Sequence, residues 1–275
     1  MTDPRTSFDL QFEWGPDGLE QLGPGAAGVI IVDVLRFTTA VSVAVDRGAT
    51  VLPYRWADDG AETYAAQHNA LLAGAGPGPE GPEGAPWSLS PIDLARLRAG
   101  TRLVLPSPNG SQLAYAAREH APHAAVLAGC LRNASAVARQ VAASPHAGPV
   151  AVIAAGERWP VRSRPPGDRR ETFALRPAVE DLLGAGAILR ALRVVTGVAP
   201  DRVSPEARAA MAAFDEARDD LRAWLLASAS GRELVGRGRH DDVVAAAALD
   251  VEAVAPVLVG AAFVGATPRS LGHLR

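Results

Sequence analysis

Short apolar runs recur along the chain, at Val29–Val32, within the strand-like Arg102-Leu-Val-Leu105, and at Ala125–Ala128 and Val150–Ile153, each followed by a polar or glycine-containing stretch and a helix-like segment. Runs this short, β-branched or aliphatic and without polar alternation, predict strands buried on both faces. The Ala/Val-rich stretch after Thr39 is long enough to pack back over a sheet as a helix. Repeated strand–helix units of this kind predict an α/β fold, a layered mixed β-sheet with flanking helices. Phe8, Leu10 and Phe12 alternate as in another strand, and Val51-Leu52-Pro53 and Pro256-Val-Leu-Val-Gly260 read as further short ones.

Helix boundaries are written in the polar positions. Asp59-Gly-Ala-Glu62 has capping-box spacing and predicts a helix reaching Leu72, and Ser90-Pro91-Ile-Asp93 supplies an N-cap, a first-turn proline and an acidic first turn. Asn109-Gly110 predicts a tight turn, with Ser111 capping a helix through Ala117. A helix beginning near Pro177 places Glu180 and Asp181 in its early turns. Ser204-Pro205-Glu206 opens an amphipathic helix in which Met211, Phe214, Leu221 and Leu225 share a face; that stripe fits an ordinary core or a homodimer contact equally. Ser230-Gly-Arg-Glu233 is a second capping-box pattern, and His240-Asp241-Asp242 precedes another helix. The Gly/Pro-rich stretch 74–86 and the Arg-rich stretch 161–171 read as loops. No linker divides the chain, so residues 1–275 are expected to form a single domain, in one body or two lobes.

Composition narrows the chemistry. The chain has 275 residues and a net charge of −3, which offers no broad attraction for nucleic acid or acidic membranes and favours a small polar substrate. All 27 basic residues are arginine, so a P-loop lysine, a Schiff base and a lysine general base are excluded. Cys130 is the only cysteine, which excludes an intrachain disulfide and a Cys-based zinc site. The histidines show no His-x-x-x-His spacing. No apolar run approaches the roughly 20 residues that span a bilayer, and the N-terminus lacks the apolar core of a secretory signal. A soluble, cytoplasmic protein is expected.

Candidate chemistry sits where the strands end. In Gly28-Val-Ile-Ile-Val-Asp33-Val-Leu-Arg36-Phe-Thr38-Thr39-Ala, an acid, a guanidinium and two hydroxyls follow a buried strand, the crevice in which open α/β sheets bind ligands. Asp33 suits a hard divalent cation and Arg36 a phosphate, although a structural Asp–Arg pair has the same appearance. Asn109, Gly110, Ser111 and Asn133 offer short donors at helix starts to a tetrahedral anion, or form ordinary turns. Glu180 and Asp181 read as metal or water ligands, or as acids favourably placed at a helix N-terminus. Leu35-Arg36 is echoed by Leu131-Arg132 in a similar local context.

Taken together, Val32-Asp33-Val-Leu-Arg36-Phe-Thr38-Thr39, Ser107-Pro-Asn109-Gly110-Ser111, Gly129-Cys-Leu-Arg-Asn133-Ala, Ala155-Gly156 and Glu180-Asp181-Leu-Leu-Gly-Ala-Gly resemble, in this order, the 2-phosphosulfolactate phosphatase (ComB) family. Gly238-Arg-His-Asp241-Asp242-Val extends the resemblance to about residue 250. It implies a ComB-like phosphatase fold and Mg²⁺-dependent hydrolysis of 2-phospho-3-sulfolactate to 3-sulfolactate and phosphate. It further implies metal or water ligation by Asp33 with Glu180 or Asp181, and phosphate or sulfonate binding by Arg36, Thr38, Thr39, Asn109, Gly110, Ser111 and Asn133. Leu35 stands where haloacid-dehalogenase phosphatases need a second aspartate, so an aspartyl-phosphate intermediate has no motif support. The chain departs from the family pattern before its second loop, where Ser88-Leu89-Ser90-Pro91 stands. The remaining readings are a phosphatase of another small phosphorylated acid or sugar, and a non-catalytic anion-binding sensor.

Overall fold

Strand β2 (Gly28–Val32) is buried along its whole length, and its two faces belong to two different cores. The computed structural model describes residues 7–55, 60–74, 87–144, 148–159 and 174–266. Val29 and Ile31 face a layer formed by α1 (Gly15–Leu22), α2 (Phe37–Asp46) and α5 (Gly110–His120). Ile30 and Val32 face α6 (Ala134–Ala142), α7 (Val179–Thr196), α8 (Pro205–Ala217) and α11 (His240–Ala246). Each of these four side chains is fully buried, and burial of one such side chain stabilises by about 1.5–3 kcal/mol. This is why the run carries no polar alternation.

The other strands are β1 (Leu10–Trp14), β3 (Thr50–Tyr54), β4 (Leu71–Leu72), β5 (Arg102–Pro106), β6 (Ala125–Gly129), β7 (Val150–Ala154), β10 (Ala255–Val259) and β11 (Ala262–Ala266). They form one mixed nine-stranded sheet in the order β1-β7-β2-β6-β10-β11-β3-β5-β4. β1, β7, β2 and β6 are mutually parallel, as are β3, β5 and β4. The antiparallel hairpin β10–β11 joins the two blocks, each join resting on a single pair, Val257 with Leu127 and Phe263 with Val51. A separate two-stranded ribbon pairs β8 (Glu157–Arg158) with β9 (Leu175–Arg176). The fold is therefore α/β with a layered mixed sheet.

Several boundaries differ from the sequence expectation. The helix expected to reach Leu72 is α3 (Gly60–Gln67); Asn69 adopts a φ of 48°, which Asn tolerates, and Leu71–Leu72 pairs with β5 as an edge strand. The helix expected near Pro177 starts at Val179. The amphipathic stretch after Ser204 is broken: α8 ends at Ala217, and Asp220 caps a new helix, α9 (Leu221–Ala227), by accepting from the Ala223 N–H at 3.2 Å. All four apolar residues of the stripe pack into the chain's own core. The cap of α10 (Ala229–Gly236) is Ser228, which accepts from the Gly231 N–H at 2.9 Å, so Ser230 is already inside the helix. The expected loops at 75–86 and 161–171, and Asp59, lie outside the described residues. Among the described residues no helix is long and apolar enough to cross a membrane.

α7 and α8 cross where Gly186 removes the side chain. A Cβ there would stand 2.1 Å from the Ala210 carbonyl oxygen and 2.7 Å from the Phe214 Cβ. Gly186→Ala is expected to destabilise the fold by about 1–3 kcal/mol through overpacking, read as a lower urea midpoint. An unchanged midpoint would contradict this helix contact.

Candidate active site

The chain leaves β2 at Val32 and turns at once into α2, and the hydroxyls of Thr38 and Thr39 close that tight loop. Thr38 Oγ1 accepts from the Asp33 N–H at 2.9 Å and donates to the Asp33 carbonyl at 2.8 Å, while Thr39 Oγ1 donates to the Val34 carbonyl at 2.8 Å. Both threonines are fully buried. The Leu35–Arg36 peptide is cis. The hydroxyls expected to receive phosphate thus tie the start of α2 to the strand end.

Asp33 is held at the N-termini of two helices. Its Oδ1 accepts from the Phe37 N–H of α2 at 3.2 Å, and its Oδ2 from the Gly110 N–H of α5 at 2.8 Å. These bonds favour the carboxylate, as helix starts do. Burial is stronger: it pushes the Asp33 carboxyl up to about 6, with the charge of Glu180 adding to the rise and Arg36 opposing it. Gly110 is required here because a Cβ would stand 2.7 Å from Asp33 Oδ2 and 2.6 Å from the Phe37 ring.

Asp181, in the first turn of α7, ties two other loops together. Its Oδ1 accepts from the Val34 N–H at 2.7 Å and its Oδ2 from the Gly156 N–H at 2.9 Å. Burial first, then the charges of Asp33 and Glu180, hold it well above the ordinary carboxylate range. Glu180 beside it is buried, and its Oε2 has no hydrogen-bond partner among the described residues. A buried carboxylate oxygen without a partner is costly unless a proton, a cation or water faces it.

Glu157 completes the group. It follows β7 by three residues, as part of the β8–β9 ribbon, and its Oε2 accepts from Asn109 Nδ2 at 3.0 Å. Burial, then the charge of Asp33, pushes its carboxyl up to about 7. Asp33, Glu157, Glu180 and Asp181 therefore form one mutually repelling cluster. A cleft of about 270 Å³ opens beside it, lined by Trp14, Pro108, Asn109, Gln112, Glu157 and Arg158 among others.

Not all expected site residues join this cluster through their side chains. Ser111 does not cap α5, whose N-cap is Asn109; its hydroxyl donates to the carbonyls of Tyr54 and Leu105 at 2.8 and 3.3 Å. Asn133 accepts from the Cys130 N–H at 2.9 Å and donates to the Ala128 carbonyl at 3.2 Å, closing the turn after β6. Arg36 Nη1 meets Asp242 Oδ2 at 2.5 Å, and Ser90 Oγ donates to Asp242 Oδ1 at 2.5 Å. Arg132, its sequence echo, pairs with Glu252 at 2.7 Å, and Glu252 also accepts from Ser42. Each echoed arginine is thus latched to a buried acid from the 240–252 segment.

Sequence reasoning missed Glu157, Asp242 and Glu252 as partners. The signal for Glu157 was its place after the strand ending at Ala154, the same strand-end position that drew attention to Asp33.

Raised carboxyls bind protons more readily in the folded than in the unfolded chain, so folding weakens as they ionise. The penalty is absent below about pH 4, grows as pH rises through about 6 to 7, and is complete above that window. Without added metal, the melting temperature of the protein is expected to be lower at about pH 8 than at about pH 5.5, with a smaller difference in Glu157→Gln. Equal pH slopes in the two proteins would contradict the shift at Glu157.

The family model described as 2-phosphosulpholactate phosphatase matches residues 19–261. A Gloeobacter violaceus protein named "Probable 2-phosphosulfolactate phosphatase" is 32% identical over 231 residues, covering 82% of this chain and 86% of the relative. A Thermus thermophilus protein of the same name is 29% identical over 232 residues, covering 84% and 88%. The matched stretch contains all four clustered carboxylates and the loops that hold them, and the chain belongs to the 2-phosphosulpholactate phosphatase family.

Proposed function

We propose that the chain is a phosphoric monoester hydrolase that cleaves 2-phospho-3-sulfolactate to 3-sulfolactate and phosphate. The observation that carries this reading is the family match across residues 19–261, which encloses the whole acid cluster. The substrate is a small polyanion, which suits a cleft of this size better than nucleic acid or a membrane surface. We assign the reaction to the cytoplasm, on the same reading.

Magnesium is part of the proposal. Among the described residues no three His, Cys, Asp or Glu side chains are placed as a ready-made metal cage. Magnesium does not require one, because it keeps several waters and is commonly bound by one or two carboxylates together with substrate phosphate. The open Oε2 of Glu180 fits this role, with the lone pairs that Asp33 and Asp181 retain after their backbone bonds. When bound, the ion would neutralise charge on the phosphoryl group. The protein's own contribution is to fix Asp33 between two helix starts and to hold the loop after β7 against Asp181. Arg36, Thr38 and Thr39 support the reaction by shaping the loop after β2, Ser111 by tying α5 to β3 and β5, Asn133 by closing the turn after β6, and Asn109 by orienting Glu157.

The test is phosphate release from 2-phosphosulfolactate beside a panel of phosphorylated hydroxy acids and sugars. The expected result is a kcat/KM for 2-phosphosulfolactate at least about 10-fold above every other ester, a margin of about 1.4 kcal/mol. A higher value for another ester would reassign the substrate. No release from any ester by folded protein that binds the anions would favour a sensor.

A further inference from the structure

Of the four clustered carboxylates, only Glu157 lines the cleft; Asp33, Glu180 and Asp181 are buried behind it. Its position is unusually well fixed for a residue in a short ribbon. The Ala155 N–H donates to the Val32 carbonyl at 2.7 Å, the Gly156 N–H to Asp181 at 2.9 Å, and Glu157 pairs with Arg176 across β8 and β9. Gly156 has a φ of 63°, and a Cβ there would stand 2.8 Å from the Leu175 side chain, so the bend that turns Glu157 toward the cleft needs glycine. Asn109 Nδ2 donates to Oε2 at 3.0 Å.

Hydrolysis of an aliphatic phosphate ester needs a proton at the bridging oxygen, because an alkoxide is a poor leaving group. The chain has no lysine; among the described residues no histidine lines this cleft, and its other carboxylate, Asp17, is exposed. From this geometry, and resting on the phosphatase reading above, we propose that Glu157 is the proton donor to the departing alcohol. As the bond from phosphorus to the ester oxygen breaks, its electron pair stays on that oxygen, which takes the carboxyl proton of Glu157. Water forms the new bond to phosphorus, giving dihydrogen phosphate. That product then returns one proton to the Glu157 carboxylate, leaving the alcohol and monohydrogen phosphate.

The surroundings keep the acid form available. Asp33 and Glu180 face Glu157 with negative charge, Asp181 lies behind the same backbone, and Arg176 and the Asn109 amide act in the opposite direction. Burial is the largest of these influences and favours the protonated carboxyl.

The test compares wild type with Glu157→Gln on 2-phosphosulfolactate and on p-nitrophenyl phosphate, whose phenolate leaves without protonation. Glutamine is isosteric and its carbonyl still accepts from Asn109. The expected result is a loss of about 10²-fold or more in kcat/KM on the aliphatic ester and a much smaller loss on the aryl ester. The wild-type rate on the aliphatic ester is expected to fall at high pH, and that limb is expected to vanish in Glu157→Gln. Glu157→Asp, which keeps a carboxyl, is expected to recover part of the aliphatic-ester rate and provides the same comparison should the glutamine variant fold poorly. Equal losses on both esters, or none on either, would overturn the proton-donor role. Wild type that turns over a different aliphatic ester would overturn only the substrate assignment, and the leaving-group comparison then uses that ester. Wild type that releases phosphate from no ester would overturn the phosphatase reading and this inference together.

Discussion

Asparagine in place of Asp33 is expected to lower kcat/KM for the phosphate ester by about 10²–10³-fold or more, the range seen when one preorganised electrostatic group is removed from a reaction centre. The substitution nearly preserves shape, so the change is in charge and hydrogen bonding. One of the two backbone donors, Phe37 N–H or Gly110 N–H, would face an amide NH₂ instead of an oxygen. Leaving such a buried donor unsatisfied costs about 1–3 kcal/mol, but losing a carboxylate from a mutually repelling cluster offsets part of that. Stability is therefore expected to change less than activity. The result to look for is a cooperative melt close to that of wild type together with a collapse in turnover; retained turnover would remove Asp33 from the reaction centre.

Alanine at Asp242 is expected to have the largest effect on stability. Asp242 is buried at the start of α11 and binds both Arg36, from the loop after Asp33, and Ser90, the N-cap of α4 (Pro91–Leu94). Removing it leaves a guanidinium whose side chain is only 18% exposed without its counter-ion, and a buried hydroxyl without its acceptor. Breaking a fully buried pair costs about 3–5 kcal/mol; with Arg36 partly solvated, a loss of about 2–3 kcal/mol is expected. Asp242→Asn, which still accepts from one partner, is expected to lose less. Because Arg36 precedes α2 directly, Asp242→Ala is also expected to reduce kcat. Urea unfolding of the two variants beside Asp241→Ala, whose side chain is exposed, checks the ordering. Equal midpoints for all three would contradict a latch at Asp242.

The central strands were legible because they are buried on both faces, so burial alone dictates Val29–Val32 and Val150–Ile153. What local pattern obscured was structure that depends on distant partners. α1, which begins Gly15-Pro-Asp-Gly18 and carries no local helix signal strong enough to predict it, forms because Leu19 and Leu22 reach the core beneath α5. β11 contains Gly265 where a Cβ would stand 2.9 Å from Val254, and it exists by pairing with β10.

The site divides in the same way. Asp33, Glu180 and Asp181 stood out from their places at a strand end and a helix start, and the structure brings them into one electrostatic cluster. Thr38, Thr39, Ser111 and Asn133 have the chemistry of anion donors, but Thr38, Thr39 and Asn133 close their own loops through backbone groups three to five residues away, and Ser111 bonds the distant Tyr54 carbonyl, a partner that local sequence does not reveal. The two latches, Arg36 to Asp242 and Arg132 to Glu252, join residues more than a hundred positions apart.

On the reading proposed above, a divalent cation completes the buried acid cluster, which then hydrolyses a phosphate monoester. That reading is tested most directly by measuring phosphate release from 2-phosphosulfolactate by chelator-treated wild-type protein before and after magnesium is restored. Turnover is expected to be lost with the metal and to return on its addition, with Asp33→Asn slow in both states. Full turnover in excess chelator, unchanged by magnesium, would contradict it.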